Sequence, residues 1–452
     1  MKIVIEGAGE VGAHLAKMLS ADANDITVLD SDAQRLAKLA TTADVATIEG
    51  TPSSISSLKE AGVAGADLFI AVNPLTHQDV NVVSALLAKK LGCKKVAARI
   101  DDEDYLSYEN KYMFTEMGID MLFYPERIAA AEIVELLKRT ASTESMDFAH
   151  GKLQIAVFKL DEDSPLLDMT LSEFASSMSG SGHTFRVVAL ARGEETIIPK
   201  VNTKFKYNDL VFIVTTREGM EPLMGFLGKS NVEVEKLMIL GASQIGSMVA
   251  RSMSKQLQGI KVIDLDKQRC LELSDKTDDN VLVVNGDGRN SDFLLEEDIK
   301  SYDAFVAVTG NDETNILSCV VAKKFGVTRT IAQVENIEYI KLAEDMGVDA
   351  VINKKLITAG RIFKMTLSSK VRFIKYMGGT KAEVLEYIVA PGSKITKAAL
   401  MDLNFPENAV VGGLIRGQES FIAIGTTKIE PYDRVVVFAL PQAVKEVDRM
   451  FR

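Results

Sequence analysis

The 452-residue chain has no tryptophan, three cysteines, four histidines and ten prolines. Cys93, Cys270 and Cys319 are odd in number and widely spaced, so they suggest neither a disulfide framework nor a metal knuckle. His14, His77, His150 and His183 are equally scattered, which argues against a structural zinc site. No apolar run approaches the roughly 18–20 residues that span a bilayer. Basic residues are outnumbered, 52 Lys+Arg against 63 Asp+Glu, for a formal net charge of −11. That balance argues against nucleic acid as a partner, while leaving room for a local anion site. The opening Met-Lys-Ile-Val-Ile-Glu-Gly runs straight into an apolar strand pattern with no leader. A cytosolic protein is expected, with any membrane role exercised through a partner.

What is present is a repeat. Residues 3–35 read IVIEGAGEVGAHLAKMLSADANDITVLDSDAQR, and residues 237–269 read LMILGASQIGSMVARSMSKQLQGIKVIDLDKQR. Gly7 and Gly241, Asp30 and Asp264, and Arg35 and Arg269 are each 234 residues apart. Asn81 and Asn315 hold the same offset. The segments after each copy also match: Arg192-Gly193 aligns with Arg416-Gly417 and Asp209 with Asp433, each 224 apart. The order is a large unit, a small unit, then both again.

Within the large unit, short apolar runs alternate with helical periodicity. KIVIEG (2–7), DITVLD (25–30), DVATIEG (44–50), DLFIAVN (67–73) and KVAARI (95–100) read as strands. Continuously apolar strands separated by helices imply a parallel sheet covered on both faces. The fold class expected is α/β: two Rossmann-like, doubly wound domains, each followed by a small α+β domain. The boundaries fall at 1–124, a helix and linker at 125–150, 151–232, 233–352, a second helix and linker at 353–382, and 383–452.

Gly7-Ala8-Gly9-Glu10-Val11-Gly12 is a full G-x-G-x-x-G between a strand and a helix, the context that motif requires. Gly7 permits the tight turn, Gly9 lets backbone approach a pyrophosphate, and Gly12 lets helix and strand pack closely. The helix N-terminus offers free N–H groups to phosphates. Asp30, 23 residues after Gly7, ends the second strand, where a carboxylate accepts from ribose hydroxyls and repels a 2′-phosphate. NAD(H) or an adenine nucleotide is therefore favoured over NADP. Thr51, Asn73 and Arg99 sit at strand ends on the same edge. Arg99 reads either as a phosphate contact or as a surface ion-pair residue, and Asn73 as a ligand contact or a loop cap.

The second copy departs from this pattern. It reads Gly241-Ala242-Ser243-Gln244-Ile245-Gly246, with Ser243 for the middle glycine. The Ser243 Cβ crowds a pyrophosphate, although its hydroxyl has a proton to donate. Asp264 is kept. Asp287 adds a negative charge and Gln333 replaces Arg99; both changes disfavour phosphate. The second ligand is left open between a dinucleotide, another nucleotide and none.

No acid–base or nucleophilic constellation stands out beside the nucleotide folds, so no enzyme is expected. His14 reads as packed or solvated, Asp79 as a helix N-cap, and Asp161, Glu162 and Asp163 as a solvated loop or a cation cluster.

The duplicated order, GAGEVG, the VLD strand end and the paired NDL and YDR strings resemble the TrkA family over essentially the whole chain. These are regulatory subunits of bacterial Trk potassium-uptake systems, built from RCK (KTN) domains. The resemblance implies a homotetramer forming a ring of RCK units beneath an integral membrane potassium transporter of the TrkH or TrkG type. It implies NAD(H), with ATP or ADP as alternatives, biasing the ring's shape. Its binding positions map to the Gly7–Gly12 loop, Asp30, Thr51, Asn73 and Arg99, then the Gly241–Gly246 loop, Asp264 and Asp287. Two other readings remain: a channel's gating ring, and an NAD-dependent oxidoreductase.

Overall fold

The computed structural model describes residues 1–21, 24–73, 78–138, 144–148, 152–178, 184–193, 195–227, 234–363, 365, 371–376 and 382–451. Its first sheet comprises β1 (Lys2–Glu6), β2 (Asp25–Asp30), β3 (Ala46–Glu49), β4 (Leu68–Ala71), β5 (Lys95–Arg99) and β6 (Met121–Phe123). All pairs are parallel and the order is β3-β2-β1-β4-β5-β6. Ile3, Val4 and Ile5 of β1 and all of β4 have no exposed surface. Consecutive residues point to opposite faces, so burial of both faces demands an unbroken apolar run.

The helices between these strands are α1 (Glu10–Ala21), α2 (Ala33–Ala40), α3 (Ile55–Glu60), α4 (Gln78–Lys90) and α5 (Tyr108–Met117). Asp32 starts α2 by accepting from the Gln34 and Arg35 N–H groups. Asp79 lies inside the first turn of α4, not at its cap as expected. His77, His150 and His183 lie outside the described residues.

After α6 (Pro125–Lys138), strands β7 (Glu144–Phe148), β8 (Leu153–Lys159), β9 (Phe185–Arg192), β10 (Glu195–Ile197) and β11 (Leu210–Thr216) form an antiparallel sheet ordered β10-β9-β11-β8-β7. Helices α7 (Leu171–Ser177) and α8 (Arg217–Phe226) belong to this small unit. The polar segment expected to be a linker thus contains a strand, because β8 offers β7 a hydrogen-bonding edge.

The second large unit repeats the first. It has β12 (Lys236–Leu240), β13 (Gly259–Asp264), β14 (Val281–Asn285), β15 (Ala304–Ala307), β16 (Arg329–Gln333) and β17 (Ala350–Ile352), ordered β14-β13-β12-β15-β16-β17. Its helices are α9 (Gln244–Met253), α10 (Lys267–Ser274), α11 (Ser291–Glu296), α12 (Asp312–Lys324) and α13 (Glu338–Asp345). Then come α14 (Lys354–Phe363), β18 (Val371–Tyr376), β19 (Glu383–Ile388), β20 (Ala409–Arg416), β21 (Glu419–Ile422), β22 (Arg434–Ala439) and α15 (Pro441–Phe451). The last sheet is ordered β18-β19-β22-β20-β21, and β18 again occupies an expected linker.

The chain divides into two compact units, Met1–Ala129 with Lys354–Leu367, and Ala130–Asn353 with Ser368–Arg452. In the first, α14 of the second half packs against α1. In the second, the two antiparallel sheets share one core, with Phe148, Val188 and Val214 of one against Val384, Val436 and Phe438 of the other. Phe212 and Phe438 meet with ring centroids 5.5 Å apart. A Cβ on Gly412 would stand 2.6 Å from Val214 Cγ2, so a side chain there would push the sheets apart.

The repeated arginine and aspartate of the small units form a clamp. Arg192 donates to both Asp209 oxygens at 2.8 and 2.7 Å, and Arg416 to both of Asp433 at 2.9 and 2.7 Å. Each carboxylate is buried and also accepts a backbone N–H, from Lys206 and Glu430 respectively. Bidentate pairing of this kind fixes loop geometry as well as charge.

Candidate nucleotide site

The six-stranded order reverses direction between β1 and β4, and the carboxyl ends of those strands are where doubly wound sheets take ligands. The first glycine loop lies there. Gly7 has φ +104°, and a Cβ on it would meet Asn73 backbone and Oδ1 at 3.1 Å. Gly12 is tighter: a Cβ would stand 1.8 Å from the Gly7 carbonyl oxygen. A Cβ on Gly9 would meet nothing within 4 Å. Packing therefore explains Gly7 and Gly12 but leaves Gly9 unexplained; the open space above it suits a ligand phosphate.

Asp30 is buried, and its two oxygens each accept a backbone N–H, from Ala8 at 2.5 Å and Asp32 at 2.8 Å. The carboxylate is thereby oriented, with a second lone pair on each oxygen left for a ribose hydroxyl. Thr51 is exposed beyond β3, and its carbonyl accepts from the Ser54 N–H at 2.9 Å. Asn73 follows β4; its N–H donates to Asn81 Oδ1 at 3.0 Å.

Arg99 makes an ion pair, but a buried one and not at the surface. It is 8% exposed and pairs with Glu126 at 3.3 Å, and Lys354 reaches the same carboxylate at 3.4 Å. A second cation from α14, Lys355, pairs with Glu10 in the loop itself at 2.9 Å. His14, on α1, is half-buried; desolvation, then Lys355 and Lys17, pushes it below the ordinary imidazole range.

The second copy keeps the frame. Gly241 has φ +114°, and a Cβ on Gly246 would stand 2.0 Å from the Gly241 carbonyl oxygen. Asp264 accepts from Ala242 at 2.7 Å and Asp266 at 2.8 Å. Two expectations need correction. The Ser243 hydroxyl is not free for phosphate: it donates to the Val308 carbonyl at 2.8 Å and accepts from the Gly246 N–H as the cap of α9. Nor does Asp287 present a bare charge, since Arg289 clamps it at 2.9 and 2.8 Å and holds its carboxyl below the usual range. Gln333 donates to Glu335 at 2.9 Å. Gln244 and Ile245 open α9, where Glu10 and Val11 open α1.

Sequence matching identifies the family. A TrkA-N domain model matches residues 3–125 and 237–354, and a TrkA-C domain model matches 155–228 and 384–452. The chain belongs to the TrkA family. A homologue called Trk system potassium uptake protein TrkA homolog, from Archaeoglobus fulgidus, is 32% identical over 454 residues, spanning all of both chains. Homolog 1 of Methanosarcina mazei is 31% identical over 460 residues, again spanning both. Among solved structures, the GsuK RCK domain covers the whole chain and 94% of its own, with TM-score 0.61 at 16% identity. The GsuK channel bound to NAD has the same TM-score and identity, with 78% of its chain covered. That likeness establishes the RCK fold.

Two residues of this TrkA-family chain stand in the site although the glycine motif does not name them. Asn81 is 1% exposed and ties two strand ends together, donating to the Asn73 carbonyl at 3.2 Å and the Arg99 carbonyl at 3.1 Å. Asn315 does the same for Thr309 at 3.1 Å and Gln333 at 2.8 Å. Its signal was in the repeat: a polar residue held in register inside a helix. The other is Glu6. It has no exposed surface, accepts hydrogen bonds from Asn73 Nδ2 and Ser84 Oγ, and burial pushes its carboxyl up to about 8. Leu240 occupies its place in the second copy.

Proposed function

We propose that this chain is the nucleotide-binding regulatory subunit of a potassium-uptake system. It binds NAD(H), or ATP or ADP, in the first copy through the Gly7–Gly12 loop and Asp30, with Thr51 and Asn73 at the rim. The observation that carries this reading is the pairing of an oriented Asp30 carboxylate with unfilled space above Gly9. The full-length relatives named for Trk potassium uptake support the transport role. Solved structures of GsuK bound to NAD and to ADP, similar to this chain in fold, support the ligand class.

Among the described residues no helix is long and apolar enough to cross a membrane, so flux is assigned to a separate transporter of the TrkH or TrkG type. The proposed location is cytoplasmic, at the membrane's inner face through that partner. Self-assembly into a tetramer is favoured by matching apolar surfaces. Val83 on α4 and Tyr108 and Tyr112 on α5 are exposed, as are Leu317 on α12 and Leu342 on α13 in the second copy. Nucleotides with different affinities for two ring shapes would shift the equilibrium between them.

Calorimetric titration with NAD⁺, NADH, ATP and ADP, against Asp30→Ala, tests the site. Saturable binding lost in the variant supports it. Binding unchanged by Asp30→Ala, or none in wild type, rejects it. Potassium flux through the reconstituted transporter, with and without this chain and nucleotide, tests the regulatory role.

A further inference from the structure

Glu6 is the last residue of β1, immediately before Gly7. It is a carboxyl with zero exposure placed where an anionic ligand is expected, an arrangement that disfavours the ligand unless the carboxyl is neutral. From β2 it faces Asp30; from the segment after β4, Asn73; from α4, Ser84. Among the described residues no cation pairs with it. Burial, and then the Asp30 carboxylate, oppose its ionisation, while the hydrogen bonds from Ser84 and Asn73 offset part of that effect.

The site also contains a place for the proton. Ser84 Oγ lies 2.8 Å from the Val80 carbonyl. When Glu6 is ionised, Ser84 donates to it. When Glu6 is protonated, Ser84 accepts from the carboxyl and turns its own proton to Val80. Asn73 Nδ2 donates to Glu6 in either state, and Asn73 Oδ1 stands beside Gly7.

We propose that Glu6 is a positioning residue that holds Asn73 over the first glycine loop and makes nucleotide binding there proton-linked, so that the nucleotide is taken up together with a proton from solvent. This rests on the nucleotide reading of the first copy. A pyrophosphate above Gly7–Gly12 adds negative charge near Glu6 and favours its neutral form. By linkage, the affinity falls as pH rises through the Glu6 titration near 8. The second copy has no such group: Leu240 is apolar, and Ser318 Oγ lies 3.5 Å from the Gly288 carbonyl instead.

The test is calorimetric titration of the full chain with NADH between pH 6.5 and 9.5, in pairs of buffers with different heats of ionisation. The NADH pyrophosphate does not titrate in this range. Wild type is expected to lose roughly tenfold in first-copy affinity across it and to take up protons on binding near pH 8. Glu6→Gln keeps an acceptor for Asn73, and is expected to bind with no pH slope from this site and no proton uptake. Glu6→Leu, the natural state of the second copy, removes the slope too and weakens binding by freeing Asn73. Binding without proton uptake in wild type, or a slope that survives in both variants, overturns the proposal while leaving the nucleotide site standing. Absence of NADH binding at every pH overturns the proposal, and it overturns the nucleotide reading too if NAD⁺, ATP and ADP also fail to bind.

Discussion

The two Rossmann copies are built on one frame and differ in what lies beneath and beside the glycine loop. Both have a left-handed first glycine, a third glycine in contact with the first, and an aspartate that receives two backbone N–H groups. Both have a buried asparagine stapling two strand ends. These shared features make the turn. The first copy adds a bare Gly9, a buried Glu6 and a loop glutamate paired to Lys355. The second has a capping serine, an apolar Leu240 and a neutralised Asp287. A turn can thus be kept for folding while the residues beneath and beside it diverge.

The largest effect is expected where the copies agree. Gly12→Val and Gly246→Val each drive carbon into a carbonyl oxygen, so each should collapse its own domain. Loss of the cooperative thermal transition of that domain checks this, and an intact domain in either variant would show that the third glycine is not a packing residue.

Next comes the pH dependence of stability. Glu6 titrates in the folded chain near 8, above the ordinary carboxyl value of 4.5. The stability it contributes is full below about 4.5 and is lost as pH rises to 8, because the native state holds a proton the unfolded state has released. Glu6→Leu should remove that slope and stabilise the first unit above neutrality by a few kcal/mol, on the order set by the shift. Leu240→Glu should impose a similar slope on the second copy. Denaturant melts at pH 5 and pH 8.5 would read both, and parallel melts for wild type and Glu6→Leu would sink the argument.

Asp30→Ala should weaken nucleotide binding at the first copy by roughly a hundredfold, through lost ribose bonds and a disordered loop. Asp264→Ala should leave that binding unchanged. Calorimetric stoichiometry separates the two.

The smallest effects test the loop's edges. Ser243→Gly should cost only about a few tenths of a kcal/mol of stability, since glycine is a tolerable cap. If the serine blocks the second site, nucleotide stoichiometry should rise in that variant. Lys355→Ala breaks a pair whose glutamate is 76% exposed, so less than about 1 kcal/mol is expected in a thermal melt.

Much of the site was legible because its signals are local. Gly7, Gly12 and Asp30 fall within one strand–turn–helix–strand segment, residues 2–30, where spacing is informative about their relation. Arg99 was ambiguous because its partner, Glu126, is 27 residues away on another element. The Ser243 hydroxyl was misjudged because Val308, its acceptor, is 65 residues distant. Strand β7 was read as linker because its pattern is polar and mixed; β18, although it carries Val371, Phe373 and Ile374, was read as linker because its pairing with β19 is a tertiary choice. Glu6 read as an ordinary strand residue, since nothing in a sequence window reports that no cation faces it.

Periodicity, the repeat and the glycine spacing were enough to determine two parallel α/β domains, two small companions and the loop each large domain presents. Those properties follow from side-chain alternation and backbone sterics, which act over a few residues. Only the tertiary structure decided that the two small sheets share one core, that α14 of the second half packs on α1 of the first Rossmann domain, and that one copy buries a carboxyl beneath its loop. Those outcomes depend on desolvation and on contacts between residues remote in the chain.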